Sequence, residues 1–215
     1  MKKLDNDWMQ DTHLNIQYDY ADRGLLRQMC TTITSKEQEA SYNQEYKYNQ
    51  SNQLIEEYNS RTDVTKAYVY NDDGSIDYVI NNGIKQNYHY SNGKLASITE
   101  NGISKILEYD HFGNATQYGM DSYTWKRGNL LSSYTHDNQT TIYEYNGFGQ
   151  KHKKILSDGT IIQYHYDNEK LISENWSNGN QIRYIYDLEG IIGIWIESGG
   201  MYYFVKDAMG NVVSI

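Results

Sequence analysis

The sequence predicts an all-β chain of tandem antiparallel β-hairpins, a meander strip that forms an open or partial spiral shell. Three observations carry that prediction. A Tyr-x-Tyr pattern recurs about every 20 residues, turn residues separate the copies, and proline is absent from all 215 positions. Proline cannot donate to a sheet ladder, so its absence suits strands whose backbone N–H groups are all engaged.

The ladder reads Tyr18-Asp19-Tyr20, Tyr46-Lys47-Tyr48, Tyr68-Val69-Tyr70 and Tyr88-His89-Tyr90, then the weaker Leu107-Glu108-Tyr109 and Tyr123-Thr124-Trp125. It continues through Tyr143-Glu144-Tyr145, Tyr164-His165-Tyr166, Tyr184-Ile185-Tyr186 and Tyr202-Tyr203-Phe204. Steps between the last aromatics run from 16 to 28 residues. A period of this length marks a repeat architecture.

Each copy shares an internal grammar. A four-residue turn follows the aromatic pair, as in Asn71-Asp72-Asp73-Gly74, Asp110-His111-Phe112-Gly113, Asn146-Gly147-Phe148-Gly149 and Asp187-Leu188-Glu189-Gly190. Asp or Asn bonds to the backbone ahead, and Gly accepts a positive φ. A returning strand then carries an aliphatic residue: Leu95, Leu130, Leu171, Ile192 or Val212. A tighter turn closes the unit, at Asn82-Gly83, Asn101-Gly102, Asp158-Gly159, Asn178-Gly179 or Gly199-Gly200. Asn-Gly and Asp-Gly between alternating runs are strong hairpin signals.

Connections this short permit only antiparallel neighbours. Side chains alternate across a strand, so both rings of a Tyr-x-Tyr share one face. A single hairpin cannot offset its own ordering entropy, so stability is expected to belong to the array and disorder to concentrate at the two ends. Residues 1–60 read as an irregular part with degenerate repeats. Within it, Thr34 to Glu45 reads as an irregular loop or degenerate repeat, because it is polar and alternates little. Residues 61–215 read as one continuous regular array.

Composition narrows the function classes. Apolar residues make up 38% of the chain and mean hydropathy is -0.82, yet there are 23 Tyr against 3 Phe. Tyr packs a large ring while its hydroxyl reaches water or a partner, and an aromatic-rich chain is not globally disordered. The net charge of -9 offers no basic stripe for nucleic acid. Lys151-His152-Lys153-Lys154 reads as a solvated strand edge. The lone Cys30 excludes a disulfide framework within the chain. Met1 to Gln10 lacks the apolar stretch of a signal peptide, and no run is long enough to insert in a membrane. On this reading the chain is cytoplasmic as it stands or a piece of a longer protein.

The Tyr-x-Tyr-Asp-x-x-Gly-x-Leu pattern resembles the YD repeat of the Rhs family, found in bacterial polymorphic toxins, wall-associated proteins and teneurins. Tyr184 to Ile192 and Tyr164 to Leu171 match best, although Lys170 replaces the turn Gly, and Tyr202 to Val212 is similar to the unit near the end of such regions. The motif residues by this resemblance are Tyr68, Tyr70, Gly74, Tyr88, Tyr90, Leu95, Tyr143, Tyr145, Gly149, Tyr164, Tyr166, Asp167, Leu171, Tyr184, Tyr186, Asp187, Gly190, Asp207 and Gly210. The resemblance implies a shell enclosing a C-terminal toxin or other cargo, an extracellular or cell-surface location, and no catalysis. It also implies an Asp-Pro autocleavage motif after the repeats, which a proline-free sequence does not contain. Ten repeats are few for closure, so a fragment or an incomplete shell is expected.

No catalytic, metal or cofactor site is expected. His89 and His165 sit where other copies carry Lys, Val, Thr, Glu or Ile, so they read as structural rather than as ligands. Asn71-Asp72-Asp73-Gly74 lacks the spacing of a calcium loop. Turn carboxylates such as Asp110, Asp167 and Asp187 are explained by backbone bonding, and no nucleophile elbow or phosphate loop occurs. Asn114-Ala115-Thr116, Asn138-Gln139-Thr140 and Asn175-Trp176-Ser177 match the glycosylation sequon by coincidence. The rival function is a glycan-binding or cell-surface-binding aromatic module, but Trp8, Trp125, Trp176 and Trp195 do not recur at one phase of the repeat. An unclosed strip also exposes edges suited to self-association.

Overall fold

The computed structural model describes residues 13–34, 39–188, 190–206 and 212–214. The expectation of disordered ends falls mostly outside these residues, as do Asp207, Gly210 and Trp8.

The chain divides into two compact units, Met1–Ser104 and Lys105–Ile215. The first holds β1 (His13–Tyr20), β2 (Leu26–Thr34), β3 (Glu39–Tyr48), β4 (Leu54–Asn59), β5 (Val64–Tyr70), β6 (Ile76–Asn81), β7 (Ile84–Ser91) and β8 (Lys94–Glu100). β9 (Ile103–Tyr109) crosses the division. The second unit continues with β10 (Ala115–Tyr118), β11 (Asp121–Lys126), β12 (Leu130–His136), β13 (Gln139–Tyr145), β14 (Lys151–Ile155) and β15 (Ile161–Asp167). It ends with β16 (Lys170–Trp176), β17 (Gln181–Asp187), β18 (Gly190–Ile196), β19 (Gly200–Tyr203), β20 (Val205–Lys206) and β21 (Val212–Ser214). From β1 to β8 in the first unit and from β9 to β19 in the second, each strand pairs antiparallel with its sequence neighbour, as the meander reading requires, while β20 and β21 form a separate two-stranded sheet. The fold is all-β.

Two turn chemistries connect the strands. Asn82-Gly83, Asn92-Gly93 and Asn101-Gly102 have positive φ at both residues (47° and 82° in the first), which matches the twist of two-residue hairpins. After several aromatic pairs the turn is a three-residue loop, as at Asn71, Asp110 and Asn146, whereas Asp167 pairs directly with Lys170 across a two-residue connection. Asn71 N–H bonds to Ser75 O, Gly74 N–H to Asn71 O, and Gly74 sits at φ 85°.

Three expectations about turns are corrected. Asp158-Gly159 and Asn178-Gly179 close as three-residue loops, between Leu156 and Thr160 and between Trp176 and Asn180, with positive φ only at the glycine. Their side-chain oxygens accept the N–H two residues on. Conversely, Asp187 to Gly190 is a two-residue connection, because Asp187 pairs directly with Gly190.

The polar stretch from Thr34 to Glu45 also differs from the loop reading, since β3 starts at Glu39 and pairs with β2 from Thr34 to Gln28. Hydroxyl pairing replaces apolar alternation there: Thr32 Oγ1 lies 3.0 Å from Ser41 Oγ, and Ser60 Oγ accepts Asn43 N–H at 2.8 Å. The 28-residue step reflects long strands, 9 residues in β2 and 10 in β3.

The core is shallow. Among the described apolar side chains only Val79 (5% exposed) and Ile162 (2%) are buried. Both lie on the face that carries the tyrosine pairs, Val79 directly opposite Tyr68 and Ile162 two residues before Tyr164 in β15.

Candidate functional site

The repeat builds the same device many times over. In each hairpin that carries an aromatic pair, from β1/β2 through β17/β18, the register slips at the second aromatic. The intervening pairings, such as β2/β3 and β16/β17, show no slip. His165 pairs with Ser173 and Tyr166 with Leu171, leaving Ile172 extra. Each slip is a β-bulge, which bends the strand and strengthens its twist. Leu95 and Leu171 therefore face Tyr90 and Tyr166, and Leu130 faces Lys126, but Ile192 is the extra residue of its bulge and Ile191 faces Tyr186.

Opposite the bulge, the second aromatic reaches back to the preceding repeat. Tyr48 Oη donates to Leu26 O at 2.9 Å and Tyr70 Oη to Leu54 O at 2.6 Å. Trp125 Nε1 donates to Ala115 O at 2.6 Å, Tyr166 Oη to Lys151 O at 2.9 Å, and Tyr186 Oη to Leu171 O at 2.9 Å. Each acceptor residue is the one facing the second aromatic of the previous hairpin: Tyr20, Tyr48, Tyr109, Tyr145 and Tyr166. Sequence reasoning placed the rings but not these bonds. Its available signal was the Tyr-to-Phe ratio, because a ring needed only for packing would not need a hydroxyl.

The first aromatic behaves differently. Tyr184 Oη donates to Glu174 Oε1 at 2.5 Å, and Trp176 Nε1 donates to Glu174 Oε2 at 3.3 Å. Burial and then the Glu174 hydrogen bond push the Tyr184 hydroxyl upward in pKa. Glu174 faces Tyr164, whose hydroxyl is pushed up to about 12 by burial and next by the Glu174 charge. Glu57 repeats the arrangement in the first unit. It faces Tyr46, accepts Lys66 Nζ at 2.8 Å, and bonds to Tyr68, whose pKa rises to about 12 from burial first and Glu57 second. Tyr143 and Tyr145 are likewise raised by burial. Lysines cover several rings: Lys151 lies 4.5 Å from the Tyr164 centroid, Lys170 5.3 Å from Tyr186 and Lys126 5.4 Å from Tyr145.

Turn residues hold their loops. Asp110 accepts Phe112 N–H and Asn114 N–H at 2.9 Å each, and the Asn114 side chain with these backbone bonds lowers the pKa of its carboxyl. Gly149 takes φ 82° in the equivalent loop. Asp73 in the calcium-like segment is engaged by Ser75, through both its hydroxyl and its N–H. His165 Nε2 lies 3.1 Å from Asn175 Nδ2, and His89 faces Ser97. Among the described residues no group of three or more His, Cys, Asp or Glu side chains is placed to hold a metal ion. None of their helices is long and apolar enough to cross a membrane.

A shallow, bulged and serially bonded sheet defines the class: a repeat array in which each hairpin is completed by its neighbours. The family follows from a match to the teneurin YD-shell model over residues 5–191. This chain belongs to that family. It is also similar to the tRNA3(Ser)-specific nuclease WapA of Bacillus spizizenii, 28% identical over 176 residues, which cover 78% of this chain and 7% of that protein. Among solved structures, TcdB2-TccC3-Cdc42 aligns at 13% identity and a TM-score of 0.35, over 92% of this chain and 15% of the other. The Photorhabdus luminescens Tc holotoxin pore aligns at 12% identity and a TM-score of 0.32, over 96% and 17%. The chain thus spans a small fraction of each of these relatives.

Proposed function

We propose that this chain is a stretch of shell wall that encloses or presents a C-terminal toxin or other cargo within a longer protein, and that it performs no catalysis. In this reading residues 1–60 are a degenerate lead-in to the regular array at 61–215, and the parent protein acts outside the cell that makes it. The supporting observation is the chain of second-aromatic hydrogen bonds from one repeat to the one before it. They commit the most abundant specialised side chain to holding the sheet. The polar groups around them are likewise engaged with each other, as Glu174 is with Tyr184 and Trp176.

Two experiments test it. The purified chain, incubated with tRNA and other RNA substrates, is expected to leave them intact; robust turnover that survives repurification would overturn the non-catalytic reading. In the parent protein, the segment after Ile215 is expected to resist protease until the repeats are unfolded. Equal cleavage with folded and unfolded repeats would count against enclosure. The aromatic surface-binding alternative gains no support from the tryptophans: Trp125 and Trp176 are hydrogen-bonded within the sheet, and Arg183 lies 5.0 Å from the Trp195 ring centroid.

A further inference from the structure

We propose that the second aromatic of each repeat is a backward latch, closing the hairpin before it rather than the hairpin that carries it, so that the array locks in the direction of chain synthesis. The five bonds all run the same way, from a later repeat to an earlier carbonyl. The carbonyl always belongs to the residue flanking the bulge on its turn side, where the ladder is locally disrupted. A carbonyl has two lone pairs, so it takes the aromatic donor without surrendering a ladder bond.

The latches also run in series. Tyr70 bonds to Leu54, which faces Tyr48, and Tyr48 bonds to Leu26, which faces Tyr20. In the second unit Tyr186 bonds to Leu171, which faces Tyr166, and Tyr166 bonds to Lys151, which faces Tyr145. A hairpin therefore gains its last constraint only when the next repeat has been made. A chain emerging N-terminus first supplies donors in the order the acceptors need them.

Two tyrosines break the series and serve as internal controls. Tyr90 and Tyr145 occupy the second-aromatic position, yet neither hydroxyl has a hydrogen-bond partner among the described residues. The Tyr145 ring is covered by Lys126 instead.

The test is hydrogen exchange read by peptide mass spectrometry on the full chain, comparing four Tyr→Phe variants that keep the ring. Tyr186→Phe is expected to speed exchange around residues 165–172 by roughly two- to tenfold, the worth of one net hydrogen bond, while residues 184–192 stay unchanged. Tyr70→Phe is expected to do the same around residues 47–56 and to spare 69–77. Tyr90→Phe and Tyr145→Phe should leave the preceding hairpins as they were. Faster exchange confined to the mutated hairpin, an equal upstream response in the controls, or no response to Tyr186→Phe and Tyr70→Phe would each overturn the latch. The inference rests on the wall reading but fails separately from it. RNA turnover would remove the wall and leave the exchange pattern, whereas flat exchange would remove the latch and leave the wall.

Discussion

The hairpins β7/β8 and β17/β18 are written almost alike, with Tyr88-His89-Tyr90 in one and Tyr184-Ile185-Tyr186 in the other, but they are held differently. Tyr186 is bonded to the previous repeat, whereas Tyr90 is 39% exposed. The difference lies partly in what precedes each pair. Glu174 stands ready for Tyr184, while the corresponding strand before Tyr88 offers Val79. The returning strands differ too, since Ser97 faces His89 where Gly193 faces Ile185. A repeat motif thus sets where the rings go. The neighbouring copy decides what each ring does.

Substitution at those paired positions gives the largest expected contrast. A Cβ on Gly193 would meet Tyr202 O at 2.3 Å, a backbone atom that cannot step aside. Gly193→Ala is therefore expected to cost about 3 kcal/mol, seen in urea denaturation. The reverse change in the other hairpin, Ser97→Gly, should cost only about 0.5–1 kcal/mol. Equal costs would erase the distinction between the hairpins.

Alkaline titration sharpens it next. Tyr68 and Tyr164 have folded pKa values pushed up to about 12 from an unfolded value of 10.0, and Tyr184 is raised as well. The unfolded chain loses these protons first, so the stability they contribute is complete below pH 10 and falls away as pH rises toward 12. The melting temperature should decline across that window. Glu174→Gln should bring the Tyr184 titration, followed by tyrosinate absorbance, back toward its ordinary range. An unshifted titration in that variant would show that burial alone raises it.

The latch comparison comes third. Tyr70→Phe should lower stability by about 1 kcal/mol, whereas Tyr90→Phe should stay within about 0.5 kcal/mol of the parent. Smallest of all is the exposed pair Lys47–Glu56, at 2.5 Å with side chains 65% and 38% exposed. Lys47→Met should leave the melting temperature unchanged within error, because solvent and salt screen such pairs.

Much of this was legible in the sequence. The Tyr-x-Tyr ladder located the odd-numbered strands of the array, and Asn82-Gly83 and Asn71 to Gly74 placed its turns, since local chemistry suffices for both. Turn type was less legible. Asp158-Gly159 looks like a two-residue hairpin signal, and only the Leu156–Thr160 pairing reveals the three-residue loop. The bulges were invisible, because the extra residue varies freely: Ile55, Asp77, Ala96, His152 and Ile172. Nothing in a single copy marks Glu174 or Leu171 as a partner of the next one. β3 was hidden because serine and threonine hydroxyls pair across strands without leaving an apolar alternation.

By itself the sequence determined the period, the antiparallel meander and the face on which the rings lie, because alternation and turn propensity act within one copy. The tertiary structure decided which hydroxyl meets which carbonyl, which glycine has a backbone pressed against it, and which carboxylate lifts a tyrosine. Those outcomes depend on register between copies, and register is set by bulges and loops acting together over several strands rather than by any one motif.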